Sequence, residues 1–158
     1  ACRVASLLVT RAMSDTWELT LGASASFSTF GIGCVGSRGI PSLAPQGGPP
    51  TLGTPFALQI GNLPFTGAAF LFFGYSDQNY GGTPLPFNLG GFGAPACNLR
   101  VSGDVLFSIP NVLGASTWGF LVPNYPGLTF YNQAFAFDPA ANALGLTVSN
   151  GGAGVIGS

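Results

Sequence analysis

Residues 16–28 read TWELTLGASASFS, and this stretch carries the clearest structural signal in the sequence. Apolar side chains occupy every second position, with polar residues or glycine between them; the apolar residues are Trp17, Leu19, Leu21, Ala23, Ala25 and Phe27. Successive side chains of a β-strand point to opposite faces, so this alternation gives a strand one apolar face. The stretch predicts one long strand, or two strands joined near Gly22.

Short apolar runs follow along the rest of the chain, and turn-forming residues separate them. Of the 158 residues, 47% are hydrophobic, 25 are glycine and 13 are proline. This apolar content can offset the entropy lost on folding, so glycine and proline are interpreted as turns between strands rather than as disorder. Residues 31–53 are predicted to form a loop. Strands are predicted at 56–60, 68–73, 85–89, 97–101, 105–109, 117–122, 128–137, 144–148 and 154–156.

This pattern predicts an all-β protein with a β-sandwich or jelly-roll-like fold and an N-terminal β-strand extension. Residues 1–30 are assigned to the N-terminal strand arm, and residues 31–158 to the β-sandwich domain. Two interpretations of the arm stay open. It forms the first strand or two of its own sandwich, or it acts as a donor strand that completes the sheet of a neighbouring copy.

The charge content excludes several classes of function. Only 6% of residues are charged, the net charge is −1, and the sequence contains no histidine and no lysine. Ser-His-Asp catalysis, Schiff-base chemistry and histidine-based metal sites therefore lack their essential groups. Four scattered arginines do not form a phosphate-binding patch, so nucleic acid is not an expected partner. We expect a protein that is not an enzyme and needs no cofactor.

Two weaker binding candidates lie close together in the sequence. Asp77 and Asn79 resemble the start of an oxygen-rich calcium loop, but no further carboxylates follow nearby, and an Asx-type turn between two strands is the preferred interpretation. Tyr75 and Tyr80 flank the same segment and are candidates for stacking against an extracellular glycan. The alternative for these tyrosines is burial in the core, where most aromatic residues of a sandwich lie.

Cysteine usage points to an oxidising compartment. Cys34 and Cys97 are the preferred disulfide pair, and the alternative is that both are buried free thiols. Cys2 is left over, which suggests a bridge to another molecule or a free thiol. The opening residues Ala1-Cys2 look like a mature N-terminus after removal of a signal peptide. No apolar run is long enough for a transmembrane helix. From the cysteines and this N-terminus we expect a secreted, extracellular location.

From residue 30 onward the sequence resembles a Gly/Pro-rich module found near the C-termini of large exported proteins of planctomycete-type bacteria. The segments that carry the resemblance are short and ordered along the chain: FGIGCVGS at 30–37, GIP at 39–41, LGTPF at 52–56, PLPFNL at 84–89, GAPACNL at 93–99, DPAANALGL at 138–146, SNG at 149–151 and IG at 156–157. The resemblance implies export, a β-rich fold and a bridge between Cys34 and Cys97. It implies no activity.

These observations together predict a structural role outside the cell. The low charge, the alternating arm and the odd Cys2 favour a subunit of a surface filament or layer, a homo-oligomer or polymer joined by β-strand addition. One alternative is a passive sorting or anchoring module of a larger exported protein. The other is a carbohydrate-binding module.

Overall fold

Two antiparallel sheets face each other and enclose one apolar core. The computed structural model describes residues 23–158. The strands, in chain order, are β1 (Ser26–Phe30), β2 (Ser42–Gln46), β3 (Pro55–Gly61), β4 (Ala69–Gly74), β5 (Asn79–Tyr80), β6 (Thr83–Pro84), β7 (Phe87–Asn88), β8 (Asn98–Leu99), β9 (Val105–Ile109), β10 (Ser116–Leu121), β11 (Thr129–Phe137) and β12 (Leu146–Val155). A short 3₁₀ helix, Leu89–Phe92, follows β7.

The strand order places one edge strand of each sheet on either side of the sandwich. The larger sheet has the order β9-β4-β11-β12-β1, and the smaller sheet has the order β10-β3-β2. The pairs β5-β6 and β7-β8 form two small ladders outside these sheets. The prediction of an all-β, sandwich-like fold is confirmed.

The core follows from the alternation of side chains along each strand. In β3, Phe56, Leu58 and Ile60 point inward and are buried, whereas the residues between them are not. Phe130 of β11 is fully buried beneath them and stacks on Phe73 with ring centroids 5.3 Å apart. Aromatic residues therefore supply much of the apolar area that the two sheets bury between them.

A disulfide bond joins Cys34 to Cys97, as the sequence predicts. It lies on the outer face of the larger sheet, where it forms a second buried cluster with Ala94 and Val148. Buried Gln133 attaches the segment that carries Cys97 to the larger sheet, because its side-chain amide donates to the carbonyl oxygens of Asn98 and of Ser149 in β12, at 2.9 Å each. The loop that carries Cys34 is attached by the Cys34 amide, which donates to the Val148 carbonyl at 3.0 Å. The loops that carry the cysteines are thus attached to the sheet by covalent and hydrogen bonds.

Several element boundaries differ from the prediction. The predicted loop at 31–53 contains β2, an edge strand that tolerates Pro45 because an edge strand has one side without ladder bonds. The runs at 85–89 and 97–101 shrink to the two-residue strands β7 and β8. The runs at 144–148 and 154–156 are not separate, since β12 continues through the glycines between them.

The last part of the N-terminal arm belongs to the sandwich of its own chain. Residues 26–30 form β1 and pair with β12. Phe27 packs on Phe56, with ring centroids 5.3 Å apart, so this residue contributes to its own core. Ala23 and Ala25 precede β1, and the Ala23 carbonyl accepts a hydrogen bond from the Ser158 amide at 3.1 Å. Four other residues singled out by the sequence lie outside the described residues: Cys2, Trp17, Leu19 and Leu21.

Candidate functional site

Two edge strands, one from each sheet, lie on the same side of the sandwich. β9 closes one side of the larger sheet through antiparallel pairing with β4, in which Val105 faces Phe73 and Ile109 faces Ala69. β10 closes one side of the smaller sheet through pairing with β3. Residues 110–115 connect the two strands directly. The chain thus crosses from one sheet to the other here. Within residues 23–158, each of the two strands has one edge that pairs with no other strand.

An open groove lies between these two edges, and we call it the edge groove. Its volume is about 380 Å³, and it extends from the two edge strands to the segment after β10 and the end of β12. The lining residues are Phe73, Tyr75, Val105, Phe107, Trp118, Phe120, Leu121, Pro123, Tyr125, Leu128 and Ile156. The aromatic rings of Phe107 and Trp118 touch across it, with centroids 5.0 Å apart. Val105 and Leu121 are 42% and 69% exposed. Large apolar side chains therefore stand at the surface instead of being covered by a further strand.

No charged residue is among those that line the edge groove in the described part of the chain. The nearest charge in sequence is Asp104, directly before β9. The Ser102 hydroxyl donates to its carboxylate at 2.6 Å, and the Tyr75 amide donates to it at 2.9 Å. These hydrogen bonds stabilise the ionised form, the Ser102 bond more strongly, and they hold the pKa of Asp104 below its ordinary value. The acid is thereby tied to the turn ahead of β9.

Edge strand β2, on the opposite side of the sandwich, is better protected than β9 and β10. Edge strand β2 contains Pro45, which has no amide proton to offer a neighbouring strand. Between the sheets on that side, Asn150 of β12 bonds to both backbone groups of Leu43 in β2, at 2.9 Å each. Within residues 23–158, no strand pairs with the outer edge of β9 or β10. The two sides of the sandwich therefore differ in chemistry.

Sequence analysis places β9 and β10 correctly as strands, but it does not identify their exposed residues as a site. The relevant signal in the sequence is the absence of charged residues and proline from both runs. VLFSI at 105–109 and STWGFL at 116–121 contain no charge and no proline, although natural edge strands commonly carry one or the other. This absence indicates a candidate binding site only once the strand order shows that both runs form edge strands.

The predicted calcium and glycan residues lie in a surface turn near this end of the molecule. The Asp77 carboxylate accepts a hydrogen bond from the Gln78 side chain at 3.0 Å, and the Asn79 amide donates to the Ser76 hydroxyl at 3.2 Å. In residues 23–158, no three side chains of histidine, cysteine, aspartate or glutamate converge as metal ligands would. A hydrogen-bonded turn accounts for this segment.

The two tyrosines take different positions. Tyr75 is 56% exposed and forms part of the edge groove, with its ring against Phe73 at a centroid distance of 5.7 Å. Tyr80 lies in the β5-β6 ladder, and its hydroxyl donates to the Gly103 carbonyl at 3.3 Å. Tyr75 is therefore the more accessible of the two.

Asp104 and Asp138 are not arranged as a catalytic pair. Asp138 follows β11 and is buried, where its carboxylate accepts the Ser37 amide at 2.6 Å. Asp104 precedes β9 at the other end of the larger sheet, as the registers of β9, β4 and β11 require. Two carboxylates that act on one glycosidic bond lie within about 10 Å of each other on either side of it. Asp104 and Asp138 do not share a cleft.

A second, smaller pit lies on the outer face of the larger sheet. Its volume is about 200 Å³, and it is surrounded by apolar side chains, among them Phe72, Phe135 and Leu146. Among the described residues that line the pit, Gln133 alone has a polar side chain, and its amide is hydrogen-bonded to the Asn98 and Ser149 carbonyls and the Arg100 backbone amide. The pit therefore offers no free polar group to orient a ligand.

Comparison of the chain with family models, with curated proteins and with solved structures gave no match. The resemblance to the module of exported bacterial proteins therefore stays a prediction. Among the described residues, no helix has the length and apolar character needed to cross a bilayer. The Cys34–Cys97 disulfide is compatible with an oxidising, extracellular environment.

Proposed function

We propose that this chain is a secreted, non-enzymatic structural protein whose copies assemble through the edge groove. The observation that carries the proposal is the groove itself, an apolar opening between two strand edges that no described residue covers. Monomeric proteins rarely leave such surfaces exposed, because water contact with large apolar side chains is unfavourable. Association that covers Val105, Phe107 and Leu121 would remove this unfavourable contact.

The backbone of the edge strands adds a directional component. The outer edges of β9 and β10 present amide and carbonyl groups that can pair with an added strand. Neither strand carries lysine or proline, the residues that commonly prevent such pairing. A net charge of −1 produces little repulsion between approaching copies. Apolar contact and strand pairing therefore favour the same mode of assembly.

The test is the concentration dependence of association, followed by sedimentation velocity. Leu121→Lys places a charge in the edge groove at a residue that is 69% exposed, so the fold of the monomer should persist. The matched control is Val35→Lys, which is 63% exposed on the face that carries the disulfide. We expect Leu121→Lys to weaken association by at least roughly tenfold, or about 1.4 kcal/mol, while Val35→Lys behaves as the unmodified chain.

Two results would overturn the proposal. One is an unmodified chain that sediments as a monomer at every concentration. The other is equal weakening by both substitutions, because that would mean any added charge matters and the edge groove has no special role. Negative-stain images of the unmodified chain then show whether the assembled species is a filament, a layer or a closed oligomer.

A further inference from the structure

The turn that joins β9 to β10 carries two exposed aliphatic side chains, and we call residues 110–115 the apolar turn. Its sequence is PNVLGA, which contains no charge. Val112 is 68% exposed and Leu113 is 74% exposed, and Leu113 is the most exposed large apolar side chain in residues 23–158. Two adjacent apolar side chains in contact with water are unfavourable for the isolated molecule, so a contact that covers them would be stabilising.

The backbone of the apolar turn is unfavourable for leucine. Leu113 and Gly114 have positive φ angles of 51° and 91°, and hydrogen bonds of 2.8 and 3.1 Å between Val112 and Ala115 close the turn. This is the geometry of a type I′ turn, whose first central position favours asparagine, aspartate or glycine. Leucine is disfavoured there because its Cβ crowds the backbone. The exposed side chain gains little contact within its own fold, so the strain points to a role outside the monomer.

Hydrogen bonds hold the apolar turn in one position. The Asn111 side-chain amide donates to the Pro64 carbonyl at 2.8 Å, and its side-chain oxygen accepts from the Gly114 amide at 2.9 Å. The Leu63 amide donates to the Gly114 carbonyl at 3.0 Å. A methyl group at Gly114 would lie 2.6 Å from the Leu63 carbonyl oxygen, so the turn packs closely against the segment after β3. Its apolar side chains are therefore preorganised, which lowers the entropic cost of binding.

The apolar turn and the edge groove lie at opposite ends of β9 and β10. The groove is lined by Val105 and Phe107 in the first half of β9 and by Phe120 and Leu121 at the end of β10. The apolar turn instead joins the end of β9 to the start of β10. Val105 and Ile109 mark the two ends of β9, which are about 13 Å apart at the usual rise of a strand. Because both strands are paired within sheets, the turn cannot fold back into the groove of its own chain.

Resting on the proposed function, we propose that the apolar turn of one copy inserts Val112 and Leu113 into the edge groove of a second copy. The two surfaces agree in chemistry, since no charged residue lies in the turn or among the residues that line the groove. They also agree in size. A cavity of about 150 Å³ accepts a benzene-sized molecule, so the groove of about 380 Å³ has room for two aliphatic side chains.

The inserted turn and the receiving groove are different surfaces, which determines the form of the assembly. Each copy offers one turn and one groove, so every added copy brings a new free turn or a new free groove. A contact of this head-to-tail kind continues as an open chain unless its rotation happens to close a ring. We therefore expect linear growth, with neighbouring copies arranged end to end along β9 and β10.

The first test separates the contact from the fold. Leu113→Asn places a favoured residue in the type I′ turn, so chemical denaturation should find the variant at least as stable as the unmodified chain. Sedimentation velocity should nevertheless show association weakened at least roughly tenfold, because an apolar side chain is lost from the contact. The matched control, Val35→Asn, removes a comparably exposed aliphatic side chain from the face that carries the disulfide, and it should associate normally.

The second test is complementation between two full-length variants, both carrying Cys2→Ser to exclude disulfide exchange. Leu113→Asn disables the apolar turn and leaves the groove intact, whereas Leu121→Lys disables the groove and leaves the turn intact. Each variant alone should stay monomeric at concentrations at which the unmodified chain assembles. An equimolar mixture should form one-to-one heterodimers that do not grow further, because only one functional turn and one functional groove can meet.

The outcomes distinguish failure of this contact from failure of the proposed function. If Leu113→Asn assembles like the unmodified chain while Leu121→Lys does not, the groove mediates assembly but the apolar turn is not its occupant, and the proposed contact is wrong. The same conclusion follows if the mixed variants form no heterodimers. If the unmodified chain never associates, the proposed function itself fails.

Disulfide trapping tests the contact directly. On the Cys2→Ser background, Val112→Cys is mixed with Tyr125→Cys, which lies in the edge groove and is 65% exposed. Mass spectrometry with one isotopically labelled partner should find a crosslink between the two copies, since a disulfide forms only between cysteines that come close together. Val35→Cys mixed with Tyr125→Cys is the control. Equal crosslinking in the control mixture would show random collision instead of the proposed contact.

Discussion

Asn150 is a single side chain that joins the two sheets on the closed side of the sandwich. Its amide accepts from the Leu43 backbone amide and donates to the Leu43 carbonyl, both at 2.9 Å. Asn150→Leu keeps the volume of the side chain but removes the hydrogen-bond partners of the Leu43 amide and carbonyl, which are partly shielded from water. We expect the free energy of unfolding to fall by about 1–3 kcal/mol, measured by chemical denaturation. Exposed Asn124→Leu is the control, and an equal loss there would contradict this explanation.

Asp104 links stability to pH through the turn before β9. Its pKa is lowered in the folded protein, chiefly by the Ser102 hydroxyl and next by the Tyr75 amide. The ionised form is therefore favoured by folding, and this contribution is present at neutral pH and lost as pH falls through the lowered pKa. Unfolding measured across the acidic range should show a steeper loss of stability for the unmodified chain than for Asp104→Asn. Identical slopes for the two proteins would contradict this assignment.

Residue-scale contacts divide into those that the sequence can predict and those that it cannot. The Cys34–Cys97 bridge is predictable because cysteine is rare in this sequence and is the only residue type that forms disulfide bonds. Asn150 and Gln133 are not predictable in the same way. Each bonds to backbone groups far away in the sequence. Asn150 stands among turn residues, which suggest only a local turn, and Gln133 stands in a predicted strand where no local signal marks its partners. Their role depends on a strand order that no local pattern specifies.

At the scale of elements, β12 explains the clearest difference between prediction and structure. Its centre reads SNGGAG, which indicates a turn, and two separate strands are predicted on either side. In the structure, aromatic rings from the neighbouring strands cover the glycines: Phe30 lies over Gly151, and Phe130 lies over Gly154. Side chains of β1 and β11 thus occupy the space that the glycines leave free on β12. A run of glycines can therefore continue a strand when adjacent strands supply the packing.

This packing makes Gly154→Ala a specific test of β12. An added methyl carbon would lie 2.7 Å from Phe130 Cε1, closer than van der Waals contact permits. Phe130 is fully buried and stacked on Phe73, so it has no free space into which to move. We expect a loss of about 1–3 kcal/mol in the free energy of unfolding.

Gly48→Ala is the matched control for this substitution. A methyl group at Gly48 meets no atom within 4 Å, so the change should alter stability by only a few tenths of a kcal/mol. Equal effects of the two substitutions would contradict the packing explanation. In that case the general entropy difference between glycine and alanine would account for both results.

At the scale of the whole molecule, the sandwich has one closed side and one open side. The closed side is joined by Asn150 and protected by Pro45, while the open side exposes the edge groove. The sequence predicts the strands on both sides, because each depends on local periodicity. It does not predict which strands are edges, since that requires the order of strands that are distant along the chain. The location of the groove therefore follows from topology alone.

The proposed assembly has a characteristic dependence on salt and temperature. The edge groove is apolar and the net charge is −1, so screening of charges by added NaCl should change association little. Sodium sulfate at the same ionic strength should strengthen association, because sulfate is excluded from apolar surfaces and favours their burial. Warming from about 5 to about 25 °C should also strengthen it, as expected for apolar contact near these temperatures. Light scattering at matched ionic strength measures both effects, and assemblies that dissolve in NaCl would instead indicate that ion pairs hold the copies together.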